Sequence, residues 1–240
     1  MTVTLAMWSG PRNLSTALMR AWENRPDTEV LDEPLYAHYL ARTGLDHPGR
    51  DDILAAGPVD LDAAVDRCRN PPGAPTLSYQ KHMSHHLLPG MDTSWLDDVH
   101  NVLLIRHPVE VLASYTQVRA EVTLADIGLP QQVDLVDRCA LVIDAADFLT
   151  DPEAHLRTLC ALLEVDFTET MLTWPAGRRH SDGVWAPHWY ASVEASTGFA
   201  PPRSAEERAA GRARLHPDLA PLAAEAVSLY DDLAARRLRL

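Results

Sequence analysis

The sequence predicts an α/β fold, a single domain over residues 1–240 with a mostly parallel central sheet flanked by helices. Two patterns and the composition predict it. Short apolar runs recur along the chain and most are followed by segments of helical spacing, the order of crossover units and not of hairpins. No low-complexity linker interrupts that order, and no internal repeat is apparent. The chain has 240 residues, 46% of them hydrophobic, which is enough for one sizeable core.

The elements follow in chain order. A strand-like run at 2–8 gives way to Ser9-Gly10-Pro11-Arg12-Asn13-Leu14-Ser15-Thr16, and a helical pattern spans 15–24. A second strand is expected at 28–31, with Asp32-Glu33-Pro34 directly behind it. The stretches 43–60 and 70–75, rich in Gly, Pro and Asp, read as loops around a helix at 61–69. A third strand, 76–80, leads into Lys81, His82 and Met83. Asn101-Val102-Leu103-Leu104-Ile105 reads as a buried strand within 100–105, and Pro108 takes the first position of a helix at 108–121. A helix at 131–138, a strand at 140–144 and a helix at 152–163 come next. Two helices, 204–214 and 217–237, complete the pattern. On the second of these, Leu219, Leu222, Ala226, Leu229 and Leu233 recur at helical spacing, which reads as a packed terminal helix.

A strand that feeds a tight turn into a helix N-terminus offers an anion unpaired backbone N–H groups and the positive end of the helix dipole. Residues 9–16 have that layout, and Arg12, Ser15 and Thr16 add side-chain donors. The loop lacks the Lys and the second Gly of the Gly-x-x-x-x-Gly-Lys-Ser/Thr pattern, so an ordinary turn capped by Ser15 stands as the alternative. Arg106 stands at the carboxyl end of its strand, where ligands of open α/β sheets bind. A nucleotide hydrolase commonly carries an Asp there to help hold magnesium; an Arg suits a phosphate contacted directly.

Ser9 to Thr16, together with the run from Leu103 through Arg106, Pro108 and Ser114 to Tyr115, resembles the pair of cofactor motifs of sulfotransferases. Those enzymes use 3′-phosphoadenosine 5′-phosphosulfate (PAPS) and release the desulfonated nucleotide, PAP. The resemblance implies the P-loop-like sulfotransferase architecture. It assigns the 5′-phosphosulfate to Gly10, Pro11, Arg12, Asn13, Leu14, Ser15 and Thr16, with Arg12 as the basic residue of the loop, and the 3′-phosphate to Arg106 and Ser114. Residues 140–152 are similar to the family's late strand, acidic loop and Asp-Pro helix start. Gly177 to Trp185 is similar to the flap that closes over the nucleotide, which adds Arg178 and Arg179 at the 3′-phosphate. Two departures stand out. Asn13-Leu14 replaces the usual Ser-Gly, and Ala17 stands where many cytosolic members stack a Trp on adenine, which hands that role to another side chain, Trp185.

The activity so implied is transfer of a sulfuryl group from PAPS to a hydroxyl or amine of a small-molecule acceptor. It requires in-line positioning, neutralisation of the leaving phosphate and a base for the acceptor's proton. Two bases are open. Glu33 follows the second strand beside the phosphate loop, a region where some sulfotransferases place a catalytic Glu. His82 lies in Tyr79-Gln80-Lys81-His82-Met83, which resembles the Lys-Thr-His of cytosolic members with one residue missing; Lys81 would then steady the bridging oxygen. The comparison leans to Glu33, which needs no gap. A P-loop phosphotransferase, with Asp144 at a strand end as its magnesium ligand, and a non-catalytic PAP-binding protein are the alternatives.

The formal net charge of −13 argues against a nucleic-acid partner, which demands a basic face. Any anion site must therefore be made locally, by convergence of Arg12, Arg106, Arg178 and Arg179. Cys68, Cys139 and Cys160 are widely spaced and suggest neither a disulfide framework nor a zinc ribbon. His82, His85 and His86 cluster without a completing Cys or carboxylate, so no metal is expected. With no basic, apolar leader and no apolar run of membrane-span length, the expected setting is cytoplasmic and free of membrane. A small-molecule acceptor is the expected partner, and a homodimer is left open. Trp174, Trp185, Trp189 and Tyr190 read either as an aromatic wall near the flap or as core.

Overall fold

The computed structural model describes residues 2–116 and 122–240. Its strands, β1 (Val3–Ser9), β2 (Thr28–Asp32), β3 (Leu77–Met83), β4 (His100–Ile105) and β5 (Leu141–Asp144), form a sheet in the order β2-β3-β1-β4-β5, with every neighbouring pair parallel. A parallel sheet is covered on both faces by its crossovers, so β1, β4 and β5 read as apolar runs; all five strands overlap the expected ones, but β3 runs three residues past its expected end at residue 80 and takes in Lys81 and His82. Alternate residues serve opposite faces. Leu5 and Met7 pack with Trp22, Tyr79 and Leu159 on one face, while Ala6 and Trp8 pack with Trp95, Leu112 and Leu233 on the other.

The helices are α1 (Ser15–Glu23), α2 (Tyr36–Thr43), α3 (Arg50–Ala56), α4 (Leu61–Arg69), α5 (Pro108–Tyr115), α6 (Leu129–Leu135), α7 (Ala145–Thr150), α8 (Pro152–Leu162), α9 (Ala186–Trp189), α10 (Ala191–Glu194), α11 (Ala205–Arg212) and α12 (Ala220–Ala234). Some depart from expectation. Neither α2 nor α3 was predicted, and α3 lies inside the stretch 43–60 expected to be loop. Gly44 ends α2 in the left-handed conformation at φ 69°, and in α3 Ile53 is the buried residue, so the chain there carries turn residues and little apolar periodicity. The acidic loop expected after β5 is helical, because Asp144 accepts a hydrogen bond from Ala146 N and starts α7. α6 begins at Leu129 and ends at Leu135, with Val136–Arg138 tightened into a 3-10 turn. The segment 217–237 divides into a 3-10 turn, Pro217–Leu219, and α12. The end of the helix expected at 108–121 lies outside the described residues.

The sheet order positions the site. The connections after β1 and β4 lead to opposite sides of the sheet, so a crevice opens at their carboxyl ends, between residues 10–14 and residues 106–107. No helix among the described residues is long and apolar enough to cross a membrane.

Candidate functional site

The loop after β1 is built to leave helix amides open. Leu14, not Ser15, is the N-cap of α1, and no side chain caps the helix. The turn capped by Ser15, the alternative left open by the sequence, is therefore not what forms. Asn13 ties the loop to β4 by donating from Nδ2 to the Leu104 carbonyl at 3.0 Å, and its Oδ1 accepts from Leu14 N at 2.8 Å. Gly10 passes so close to a neighbouring segment that a Cβ there would lie 2.4 Å from the Ile127 carbonyl oxygen. Arg12 adopts φ 57°, a left-handed conformation that costs a non-glycine residue on the order of 1–3 kcal/mol and tends to mark functional positions.

Arg12, Arg106 and Ser114 come together. Arg12 Nε donates to Ser114 Oγ at 2.9 Å, and Arg106 Nη1 donates to the Arg12 carbonyl at 2.7 Å. Glu110, in the first turn of α5, holds Arg106 at 3.2 Å and lies 3.6 Å from Arg212. These groups border a cleft of about 550 Å³ whose lining also includes Trp189, Arg203 and Arg214. Burial, followed by the charges of Arg203 and Arg12, pushes the Arg106 pKa down, which means that further negative charge in the cleft is favourable. An uncapped helix N-terminus and crowded guanidinium groups together suit a ligand with more than one anionic group.

A second, smaller cavity of about 150 Å³ adjoins the cleft and shares Arg12, Asn13, Thr16, Trp189 and Tyr190 with it. At its wall Lys81 Nζ contacts Asp32 Oδ1 at 3.0 Å, Glu33 Oε1 at 2.5 Å and Tyr190 OH at 2.6 Å. Asp32 also accepts from Tyr190 OH at 2.8 Å and from Gly183 N at 3.0 Å, which fastens the segment after residue 177 over the site. Glu33 stands one residue beyond β2 at φ 41°, another left-handed non-glycine residue, and its amide still donates to the Lys81 carbonyl at 2.9 Å. Oε1 is taken by Lys81, Tyr190 also hydrogen-bonds the carboxyl, and Oε2 stands 4.0 Å from His86 Nε2. Burial first, and then Asp32, raises the Glu33 pKa against the opposing pull of Lys81. That is the direction in which a carboxylate becomes a better base near neutral pH. Asp32 and Glu33 in turn keep the buried Lys81 charged, with its pKa well above the ordinary value.

Four residues nominated by the sequence lie elsewhere. His82 is adjacent to Lys81 on a strand and so faces the other side of the sheet. There its ring stacks on Trp8 at 4.2 Å, Nε2 meets Gln80 Oε1 at 3.1 Å, and burial lowers its pKa to about 3. Arg178 is 56% exposed and 3.7 Å from Glu194, while Arg179 donates to the Pro175 carbonyl at 3.0 Å; neither lines the cleft. Trp185 is buried, its Nε1 donating to Tyr190 OH at 3.1 Å, and it lines neither the cleft nor the cavity. Trp189 is the indole on both. Arg203 and Arg214 escaped the sequence reading, since nothing in their spacing separates them from surface charge; Trp189 was read there as either aromatic wall or core, and it lines both cavities. Among the described residues no group of His, Cys, Asp and Glu is arranged to hold a metal ion.

Fold and site define a parallel α/β protein with an anion-binding cleft at the carboxyl edge of its sheet, joined to a small cavity that holds a carboxylate. The chain belongs to the sulfotransferase family, whose domain model matches residues 3–235. Two Arabidopsis thaliana relatives, named branched-chain-amino-acid aminotransferase-like proteins 1 and 2, are 41% and 39% identical over 202 residues. The match covers 82% of this chain and 36% of each of theirs, so the chain spans little more than a third of those relatives. Among solved structures, the sulfotransferase domain from the curacin biosynthetic pathway is similar with a TM-score of 0.54 at 15% identity, covering 98% of both chains. A sulfotransferase from Alicyclobacillus acidocaldarius gives 0.52 at 14% identity, covering 99% of this chain and 98% of that one. At such identities the shared property is the fold.

Proposed function

We propose that residues 1–240 act as one domain that transfers the sulfuryl group of PAPS to a hydroxyl of a small-molecule acceptor. The observation that carries this reading is the convergence of Arg12, Arg106 and Ser114 beside the uncapped α1 N-terminus, next to a cavity walled by Glu33 and Lys81. The amides of α1 with Ser15 and Thr16 would hold the 5′-phosphosulfate; Arg106 and Ser114, joined by Arg203 or Arg214, would hold the 3′-phosphate; Trp189 is the adenine wall. PAPS supplies the sulfuryl group and leaves as PAP. The acceptor oxygen forms its bond to sulfur as the bond from sulfur to the phosphate oxygen breaks, and that oxygen keeps the electron pair. Glu33 Oε2 takes the proton of the acceptor hydroxyl. Lys81, held between Asp32 and Glu33, orients the base, and Arg12 faces the charge that develops on the leaving phosphate. His82 has no part in this scheme.

The phosphotransferase alternative asks Asp144 to hold magnesium. Its carboxylate is already engaged, accepting from Ala146 N at 2.7 Å and from Tyr230 OH at 2.6 Å. A thermal-shift panel of PAP, ATP and GTP, each with and without magnesium, separates the readings. PAP stabilising the protein without magnesium is the expected result, and magnesium-dependent stabilisation by ATP or GTP alone would overturn it. Stabilisation by PAP without sulfuryl transfer from PAPS to any hydroxyl acceptor would make the chain a nucleotide sensor.

A further inference from the structure

The side chain of His86 is 1% exposed, yet among the described residues neither of its ring nitrogens has a hydrogen-bond partner. The ring is held in place, stacked on Tyr36 at 4.8 Å and 17° and lying against Tyr39 at 4.7 Å. It lines the small cavity, with Nε2 standing 4.0 Å from Glu33 Oε2, too far for a direct hydrogen bond. Buried polar groups are almost always paired, so an unpaired imidazole on a cavity wall marks a place for a polar atom of a ligand. One atom fills that place: set about 2.8 Å from both Oε2 and Nε2, it meets the two at roughly a right angle.

The chemistry of that atom follows from the two groups it touches. Glu33, ionised as a base must be, can only accept, so the bridging atom has to donate to it. Burial first, then His85, His47, Lys81 and His82, hold His86 neutral, with a proton on one nitrogen alone. Beside a carboxylate oxygen that nitrogen is Nε2, because the other tautomer would turn a lone pair toward Oε2. The bridging atom must therefore donate once and accept once. A hydroxyl does both and keeps a second lone pair for sulfur. A neutral amine has a single lone pair, which either answers His86 or attacks, and an ammonium has none. The geometry points to His86 as the residue that restricts the acceptor to hydroxyls: on the transfer reading above, the reacting O–H donates to Glu33 Oε2 and accepts from His86 Nε2–H, while amines are refused. In the step the hydroxyl proton passes to Glu33 and His86 keeps its own. Only the reacting atom is so constrained. Arg12, Ser15 and Thr16, which line the same cavity, are left to the phosphosulfate, and these two contacts restrict neither the charge nor the size of the rest of the acceptor.

Two measurements on the whole chain test this, the first without turnover. In NMR of the wild type, isotopically labelled at the histidine nitrogens and saturated with PAP, the His86 signal, identified by its loss in His86→Gln, reports which ring nitrogen carries the proton. An Nε2–H imidazole whose nitrogen shift moves on addition of 1-propanol is expected. Protonation at Nδ1, an imidazolium, or a signal indifferent to 1-propanol overturns the proposal. The second measurement is sulfuryl transfer from PAPS to phenol and to aniline, both uncharged at neutral pH. The wild type is expected to favour phenol, and His86→Gln and His86→Phe to narrow that preference. His86→Phe should also lower kcat/KM for phenol about two- to tenfold, the worth of one hydrogen bond, with PAP affinity unchanged. Equal use of phenol and aniline by the wild type, or a preference that survives undiminished in His86→Phe, overturns the assignment while leaving sulfuryl transfer intact. An Nε2–H imidazole that answers 1-propanol, on a chain that transfers sulfuryl to no hydroxyl, sinks the transfer reading and leaves His86 holding a hydroxyl in a binding site.

Discussion

Glu33 combines a left-handed backbone, a carboxyl oxygen fixed by Lys81 and burial that raises its pKa above the ordinary 4.5. A base must be ionised, so kcat is expected to fall as pH drops through that raised value, at a higher pH than an ordinary carboxylate would give. Glu33→Gln should lower kcat by roughly 10²–10⁴ with PAP affinity intact, as measured by steady-state assay beside calorimetry. A wild-type turnover in that variant would remove the base from this position. The strand that carries Lys81, β3, makes a separate prediction about stability. His82 titrates near 3 when folded and near 6.5 when unfolded, so as pH falls through that interval the unfolded chain takes up a proton that the folded one refuses. Stability contributed by neutral His82 is present above 6.5 and is lost toward 3. His82→Leu should flatten the decline of denaturant midpoint with falling pH in that window, and an unchanged slope would contradict its burial. That Lys81 and His82 cannot serve one site was not legible while the strand was expected to end at residue 80; β3 runs to Met83, and successive strand residues face opposite ways. Which of them faces the cavity was not legible either, because both sides of the sheet accept a partly polar residue when a partner such as Gln80 or Asp32 is supplied from elsewhere.

The segment after residue 177 is latched as an element and not merely draped. Arg20 of α1, 1% exposed, donates to Asp182 at 2.8 Å, and Asp182 accepts in turn from the Arg179 amide at 2.8 Å; Ser181 donates to Glu23. Removing one partner of a buried pair strands the other, at a cost of about 3–5 kcal/mol. Asp182→Ala should therefore lower stability by about that amount in urea titration and loosen the cover over Asp32, whereas a loss below about 1 kcal/mol, the range of an exposed pair, would show that the latch is not made in solution. The family comparison expected Arg178, Arg179 and Trp185 of this segment to meet the nucleotide, and none of the three lines the cleft or the cavity. β1, β4 and β5 were readable because each is a mainly apolar run bounded by turn residues, and α1 and α5 because a strand end and a proline frame them. α2, α3 and α7 were not, since helices of six to eight residues show too little periodicity to stand out from loop composition.

Across the whole molecule a charge of −13 surrounds a cleft where Arg12, Arg106, Arg203 and Arg214 converge. Arg12 and Arg106 came from motifs adjacent to strands; the other two arrive from beyond α10, brought by tertiary folding that no local pattern announces. A local cationic site in an acidic body implies binding that weakens with salt, so the PAP dissociation constant is expected to rise as ionic strength increases over the range where the Debye length shortens from about 10 Å to 3 Å. An affinity indifferent to salt would place the nucleotide away from the arginines. The central claim is that this cleft reads the two ends of one nucleotide, with Arg106 at the 3′-phosphate. Calorimetry of PAP and of adenosine 5′-phosphosulfate, which lacks the 3′-phosphate, on wild type and Arg106→Ala tests it most directly. The account predicts a loss of about ten- to a hundredfold for PAP, the worth of one charge-assisted contact, and almost none for adenosine 5′-phosphosulfate; equal losses for the two ligands, or no binding of PAP to the wild type, would contradict it.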